Sequence, residues 1–165
     1  MKRKALFLDR DGTLNVERKD YVRTPEELEW IEENLEPLQM IQKEGWLLVL
    51  ITNQSGVGRG VMTEKDLDQV HSKLRADLAV RGIRVDAVYY CPHKPEDGCD
   101  CRKPRPGLLQ RALRDLEIDP HTSWMIGDSD SDVAAAKALG IRAIKIGPDF
   151  PMSRAVHEIM AKGFW

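Results

Sequence analysis

The run WLLVLIT at residues 46–52 carries no charge and lies between KEG and the glycine-rich NQSGVGRG. An apolar run of this length without alternation does not suit a strand with one face in water. It fits a strand of a parallel sheet that is covered on both faces. The rest of the chain supplies the other strands and the covering helices. ALFL at 5–8, RVDAVYY at 84–90, SWMIG at 123–127 and IRAIKIG at 141–147 read as further strands. Residues 26–44 are helix-compatible, with a break at 30–33. The segment 62–82 has Thr63 followed three residues later by Asp66, a capping pattern, and ends in Gly82. Helices are also expected from about 106 to 116, over VAAAKALG, and at the end of the chain. Strands alternating with helices predict an α/β layered fold. In such folds ligands gather beyond the carboxyl ends of the strands.

Composition narrows the class. The chain has 165 residues, 42% hydrophobic and 32% charged, which suits one folded domain over 1–165. A net charge of -2 argues against a general nucleic-acid binder. There is no apolar run of membrane-spanning length, and the apolar part of MKRKALFLD is too short for a secretion signal. A cytoplasmic monomer is expected. Residues 15–25 are polar and without period, and read as a flap or loop.

Polar residues follow the strands. Asp9 and Asp11 follow the first, Thr52 and Asn53 end the second, and Asp128, Asp130 and Asp132 follow the fourth. Lys103 follows the insert after the third. Carboxylates crowded at one sheet edge raise one another's pKa unless a cation compensates. Mg²⁺ takes oxygen ligands and commonly sits with substrate phosphates. Asp9 can attack phosphorus, and Asp11 can protonate the leaving alkoxide and then deprotonate water. Thr52, Asn53 and Lys103 would hold phosphoryl oxygens. Asp130 reads as a solvated loop acid. GVGRG lacks the order of a Walker phosphate loop.

Cys91, His93, Cys99 and Cys101 have the spacing C-x-H-x₅-C-x-C. Three thiolates and an imidazole suit tetrahedral Zn²⁺. With all four ligands from the protein, the metal in this loop (91–101) would be structural. It would fix Arg102 and Lys103, next in the chain. His71, His121 and His157 lack such company and read as ordinary surface or helix-side residues.

DRDGT at 9–13, LLVLIT ending at Thr52, Lys103, and Gly127-Asp128 with Asp132 resemble, in order, the motifs of the haloacid dehalogenase superfamily of phosphatases. The resemblance spans nearly the whole chain. It implies a Rossmann-like three-layer sandwich with a mainly parallel sheet in the order 5-4-1-2-3 and no large cap. It also implies that Asp9 is the nucleophile and a Mg²⁺ ligand. Asp11 would be the acid–base group and bind Mg²⁺ through its backbone carbonyl. Asp128 would be a further ligand, with Asp132 behind it.

The zinc insert is characteristic of one branch, which holds the heptose 1,7-bisphosphate 7-phosphatases and the histidinol-phosphate phosphatase domains. DRDGTLNVE, TNQSGVGRG, YYCPH and CDCRKPRPG resemble the heptose enzymes, and imply a small phosphorylated sugar as substrate. The short gap between His93 and Cys99 resembles the histidinol enzymes. Ser129 stands where heptose enzymes often carry lysine and histidinol enzymes arginine. A bisphosphate needs a second cationic locus, for which Arg59 and Arg102 are the candidates, with Lys19 and Arg23 behind them. Glu17 or Asp20 would instead serve a substrate ammonium. A silent phospho-ligand-binding module is the non-enzymatic alternative, disfavoured because Asp9 and Asp11 are both present.

Overall fold

A computed structural model describes residues 2–162. Five strands, β1 (Ala5–Leu8), β2 (Leu47–Asn53), β3 (Ala87–Cys91), β4 (Trp124–Gly127) and β5 (Arg142–Lys145), form one sheet. Every pairing is parallel and the order is β3-β2-β1-β4-β5, the expected order read from the other edge. The helices are α1 (Leu35–Lys43), α2 (Glu64–Val80), α3 (Gly107–Asp115), α4 (Asp130–Lys137) and α5 (Met152–Lys162).

The apolar runs divide their side chains by the two-residue strand period. Leu6, Leu8, Leu48, Leu50 and Ile126 pack with Leu38 and Ile41 of α1, Leu74 and Leu78 of α2, and Val156 and Ile159 of α5. Ala5, Phe7, Val49, Ile51 and Met125 pack on the other face with Leu108 and Leu109 of α3 and Ala135 and Ala136 of α4. Two cores on one sheet explain why the central strands carry no alternation. No helix among the described residues is long and apolar enough to cross a membrane.

The expected helix ends at Thr63 and Gly82 are present. Asp66 N–H donates to Thr63 Oγ1 at 3.0 Å, and Thr63 N–H donates to Asp66 Oδ2 at 2.9 Å. The expected helical segment 26–44 with a break at 30–33 is corrected in part: the chain does break, at 28–31, but only 35–43 is α-helical, preceded by 3-10 turns at Pro25–Glu27 and Glu32–Asn34. Residues between those turns pair as extended chain with the start of the flap. Val16 N–H donates to the Glu29 carbonyl at 2.8 Å and Ile31 N–H to the Leu14 carbonyl at 2.9 Å. That pairing consumes the backbone groups a helix would need. The terminal Gly163-Phe164-Trp165, a candidate contact in the sequence, lies outside the described residues.

Candidate active site

The chain runs β1, β2, β3 toward one edge, then returns to place β4 and β5 on the other side of β1. The crevice of such a sheet lies where the order reverses, between the carboxyl ends of β1 and β4. Asp9 directly follows β1 and Asp128 directly follows β4. Carboxylate oxygens of Asp9, Asp128 and Asp132 all lie within 4.8 Å of one another.

Lys103 reaches this cluster from below. Its Nζ donates to Asp9 Oδ1 at 2.8 Å, Asp132 Oδ1 at 2.5 Å and the Ile51 carbonyl at 2.7 Å. Those three contacts use all the protons of an ammonium. The Lys103 side chain is 3% exposed and that of Asp132 is 0% exposed. Three carboxylates face one buried cation. Burial raises the Asp9 carboxyl to about 7; Lys103 opposes the rise, while Asp132 and Asp128 add to it. Burial and Asp132 also raise the Asp128 carboxyl. The all-oxygen donor set with excess negative charge fits a hard divalent cation.

Two glycines make the close approach of these carboxylates possible. Gly12 has φ +80°, and a Cβ there would collide with the Asp128 carboxylate. A Cβ on Gly127 would collide with the carboxylate of Asp132. Asp132 is further fixed by Ser129, whose Oγ donates to Asp132 Oδ2 at 2.9 Å and whose N–H donates to it at 3.2 Å. Ser129 is thus the N-cap of α4. Asp130 is a surface acid, as expected, but stands in the first turn of α4 rather than in a loop, bonded to Lys145 at 3.0 Å.

Asp11 faces the same crevice from the tight loop after β1. The Arg10 backbone carbonyl receives the N–H groups of Thr13, Leu14 and Asn15. The Asp11 carboxylate accepts from Arg10, from Asn15 Nδ2 at 3.0 Å and from Gln54 Nε2 at 2.9 Å. Burial works to raise its pKa, but the Arg10 guanidinium and these hydrogen bonds together hold it below the usual carboxylate range.

A cleft of about 530 Å³ opens over these groups, lined by Asp9, Asp11, Asn53, Lys103 and Asp128, with Arg102 on its wall. The flap adds Glu17, Arg18, Lys19 and Tyr21, and Ser55 lies opposite, its Oγ 3.3 Å from the Tyr21 hydroxyl. Arg102 Nη1 is buried and has no hydrogen-bond partner among the described residues. Thr52 is 1% exposed, and its Oγ1 accepts from Gln54 Nε2 at 2.9 Å. Both amide atoms of Asn53 clamp the backbone of Lys103: Lys103 N–H donates to Oδ1 at 3.0 Å, and Nδ2 donates to the Lys103 carbonyl at 3.2 Å. Arg59 is exposed and is not among the residues that line the cleft; beside it, Gly58 N–H donates to the Pro92 carbonyl at 2.8 Å. Arg23 is also exposed and pairs with Asp20. Arg10, Gln54, Asn15 and Tyr21 join the site without being marked by the sequence motifs as functional. Their only signal was their place beside motif residues.

Cys91, His93, Cys99 and Cys101 come together with ligand atoms within 4.8 Å of one another. His93 Nδ1 is 3.4 Å from Cys91 Sγ and 3.3 Å from Cys101 Sγ. Burial raises the Cys91 and Cys101 thiols. A thiol–imidazole set this compact fits a tetrahedral soft-ligand metal. His121 and His157 are exposed, whereas His71 is buried and bonded to Arg10.

A HAD-hydrolase-like family model matches residues 100–149. The D-glycero-beta-D-manno-heptose-1,7-bisphosphate 7-phosphatase of Pasteurella multocida is 44% identical over 146 residues, covering 85% of this chain and 79% of that protein. The enzyme of the same name from Pseudomonas aeruginosa is 38% identical over 146 residues, covering 88% and 82%. The crystal structure of D,D-heptose 1,7-bisphosphate phosphatase from B. bronchiseptica, complexed with magnesium and phosphate, superposes with a TM-score of 0.82 at 29% identity, covering 96% of this chain and 99% of that one. With 44% identity over 85% of its length to one such enzyme, the chain belongs to the haloacid dehalogenase-like phosphatases, in the family of the heptose bisphosphate phosphatases that it matches.

Proposed function

We propose that this protein removes the 7-phosphate of D-glycero-D-manno-heptose 1,7-bisphosphate through an aspartyl-phosphate on Asp9. The observation that carries the reading is the fixing of Asp9 at the sheet's switch point by buried Lys103, 2.8 Å away, under a cleft with further cations on its wall. The relatives at 44% and 38% identity carry the same activity in their names.

In the first half-reaction an Asp9 oxygen attacks phosphorus as the bond to the C7 oxygen breaks, and Asp11 gives that oxygen a proton. The negative charge of the incoming phosphate opposes Arg10 and favours the protonated Asp11. In the second half Asp11 takes a proton from water as that water attacks the phosphorus on Asp9. Phosphate leaves and the Asp9 carboxylate is regenerated. Lys103 stabilises the phosphoryl oxygens through its charge, its protons being held by Asp9, Asp132 and the Ile51 carbonyl, and Asn53 keeps it in place. Thr52 would contribute its hydroxyl after exchanging Gln54 for a phosphoryl oxygen.

Asp9, Asp128 and the Asp11 backbone carbonyl would hold Mg²⁺, which supplies positive charge to the phosphoryl oxygens when bound. Cys91, His93, Cys99 and Cys101 would hold Zn²⁺ as a structural cross-link beside Arg102 and Lys103. Arg102, with its unpartnered Nη1 in the cleft wall, is the residue we assign to the second phosphate. Lys19 adds charge from the flap, while Arg59 lies outside the residues that line the cleft. Glu17 on the same wall favours the second reading, a substrate that carries an ammonium such as histidinol phosphate.

Asp9→Asn preserves shape and removes the nucleophile. We expect kcat to fall on the order of 10⁴-fold or more. Turnover near that of the parent enzyme would remove Asp9 from this role.

A further inference from the structure

Arg10 lies between the two site aspartates in sequence, yet its side chain runs into the interior and is 1% exposed. Its Nε donates to Asp11 Oδ1 at 3.2 Å. One terminal nitrogen, Nη2, donates to Asp11 Oδ1 at 2.9 Å, Asp11 Oδ2 at 3.2 Å and Gln54 Oε1 at 3.3 Å. The other, Nη1, meets His71 Nε2 at 3.1 Å. A guanidinium has no acceptor and does not deprotonate in proteins. The His71 ring must therefore accept at Nε2, which makes it neutral with its proton on Nδ1. Burial, and after it the Arg10 charge, lower the His71 pKa to about 3, in keeping with a neutral ring.

No residue of α2 lines the cleft, so His71 has no reach to substrate. It sits behind Arg10 and is the hydrogen-bond partner of Nη1 among the described residues. Without it, Nη1 would be a buried donor with no acceptor, a costly arrangement that the planar guanidinium can relieve only by turning. Turning would carry Nε and Nη2 off the Asp11 carboxylate. Asn15 and Gln54 hold single oxygens of that carboxylate, whereas Arg10 bonds both.

We propose that His71 is a positioning residue for Asp11, acting through Arg10: its Nε2 anchors the guanidinium whose fork fixes the Asp11 carboxylate for proton transfer. The inference rests on the assignment of Asp11 as the acid–base group of the proposed reaction.

The test compares two leaving groups. The C7 alkoxide of the sugar phosphate needs a proton as it leaves; the nitrophenolate of p-nitrophenyl phosphate does not. Because kcat/KM covers phosphoryl transfer to Asp9, only the sugar phosphate exposes the acid in that quantity. Three variants are measured on both substrates with Mg²⁺, each with its thermal midpoint. His71→Asn places polar atoms near the position of Nδ1 and leaves Arg10 without its acceptor. His71→Gln returns an oxygen near the position of Nε2. Asp11→Asn is the reference for a lost acid.

For His71→Asn we expect kcat/KM on the sugar phosphate to fall about tenfold, or about 1.4 kcal/mol. The fall on p-nitrophenyl phosphate should be less than about twofold, with KM little changed. His71→Gln should recover most of the loss. Asp11→Asn should show the same split, but larger. Equal losses on both substrates for His71→Asn would overturn the proposal. So would a folded His71→Gln as impaired as His71→Asn. If Asp11→Asn itself shows no split, the acid–base assignment fails first and the inference falls with it, an outcome distinct from a split for Asp11 and none for His71.

Discussion

Lys103 is the residue on which the site turns. Its ammonium has three protons and three acceptors, two of them carboxylates, with almost no exposure. Removing it would leave Asp9 and Asp132 buried without their cation. Breaking a buried pair on one side costs about 3–5 kcal/mol, far more than a surface pair contributes. Lys103→Met should therefore lower unfolding free energy by about 3–5 kcal/mol in a urea titration. The double variant Lys103→Met/Asp132→Asn should recover part of that stability without recovering turnover. A stable, soluble Lys103→Met protein with parent-like unfolding would show that the cluster does not depend on this cation.

At the scale of elements, the strands were the most legible. Their apolar runs satisfy two cores at once, so composition alone marked them. The helix before β2 was less legible, because residues 29–31 pair with 14–16 in a contact that no local propensity reports. α2 was found through its Thr63–Asp66 cap, but the inward role of His71 was not, because a lone histidine on a helix carries no mark of its partner. That burial has a pH signature. His71 titrates near 6.5 in an unfolded chain and at about 3 when folded, facing Arg10, Asp11 and Arg75, with Asp68 lining the same hollow. Between these values the unfolded chain binds a proton that the folded one does not. Its contribution to stability is thus complete above about 6.5 and is lost as pH falls toward 3. From about pH 7 to about pH 5, the parent should lose about 2 kcal/mol more stability than His71→Gln. Identical slopes would mean that His71 stays free to protonate in the fold.

The loop after β3 is the second element with its own test. The Cys/His spacing was readable because metal ligands close in sequence leave a local pattern. The clamp from Asn53 onto Lys103 was not readable, since it joins residues 50 positions apart. We expect about one zinc per chain by elemental analysis. Zinc removal by a chelator, with Mg²⁺ restored in excess, should lower both the melting temperature and the turnover, because the loop leads directly into Arg102 and Lys103. Full activity in zinc-free protein would separate the loop from the placement of Lys103.

Across the whole molecule, the sheet order brings β1 and β4 side by side, and with them Asp9 and Asp128. This part of the site was legible because each acid follows an apolar run. The cations around the outer cleft were harder to rank: Arg59 and Arg102 both sit near motif residues, and of the two only Arg102 lines the cleft. The central claim is that this cleft is built for a sugar bisphosphate. Its most direct test is kcat/KM, with Mg²⁺, for both anomers of D-glycero-D-manno-heptose 1,7-bisphosphate and for L-histidinol phosphate. The account predicts release of the 7-phosphate and a preference above about a hundredfold for a heptose anomer, or about 2.7 kcal/mol of transition-state discrimination. An equal or greater kcat/KM for histidinol phosphate would contradict it.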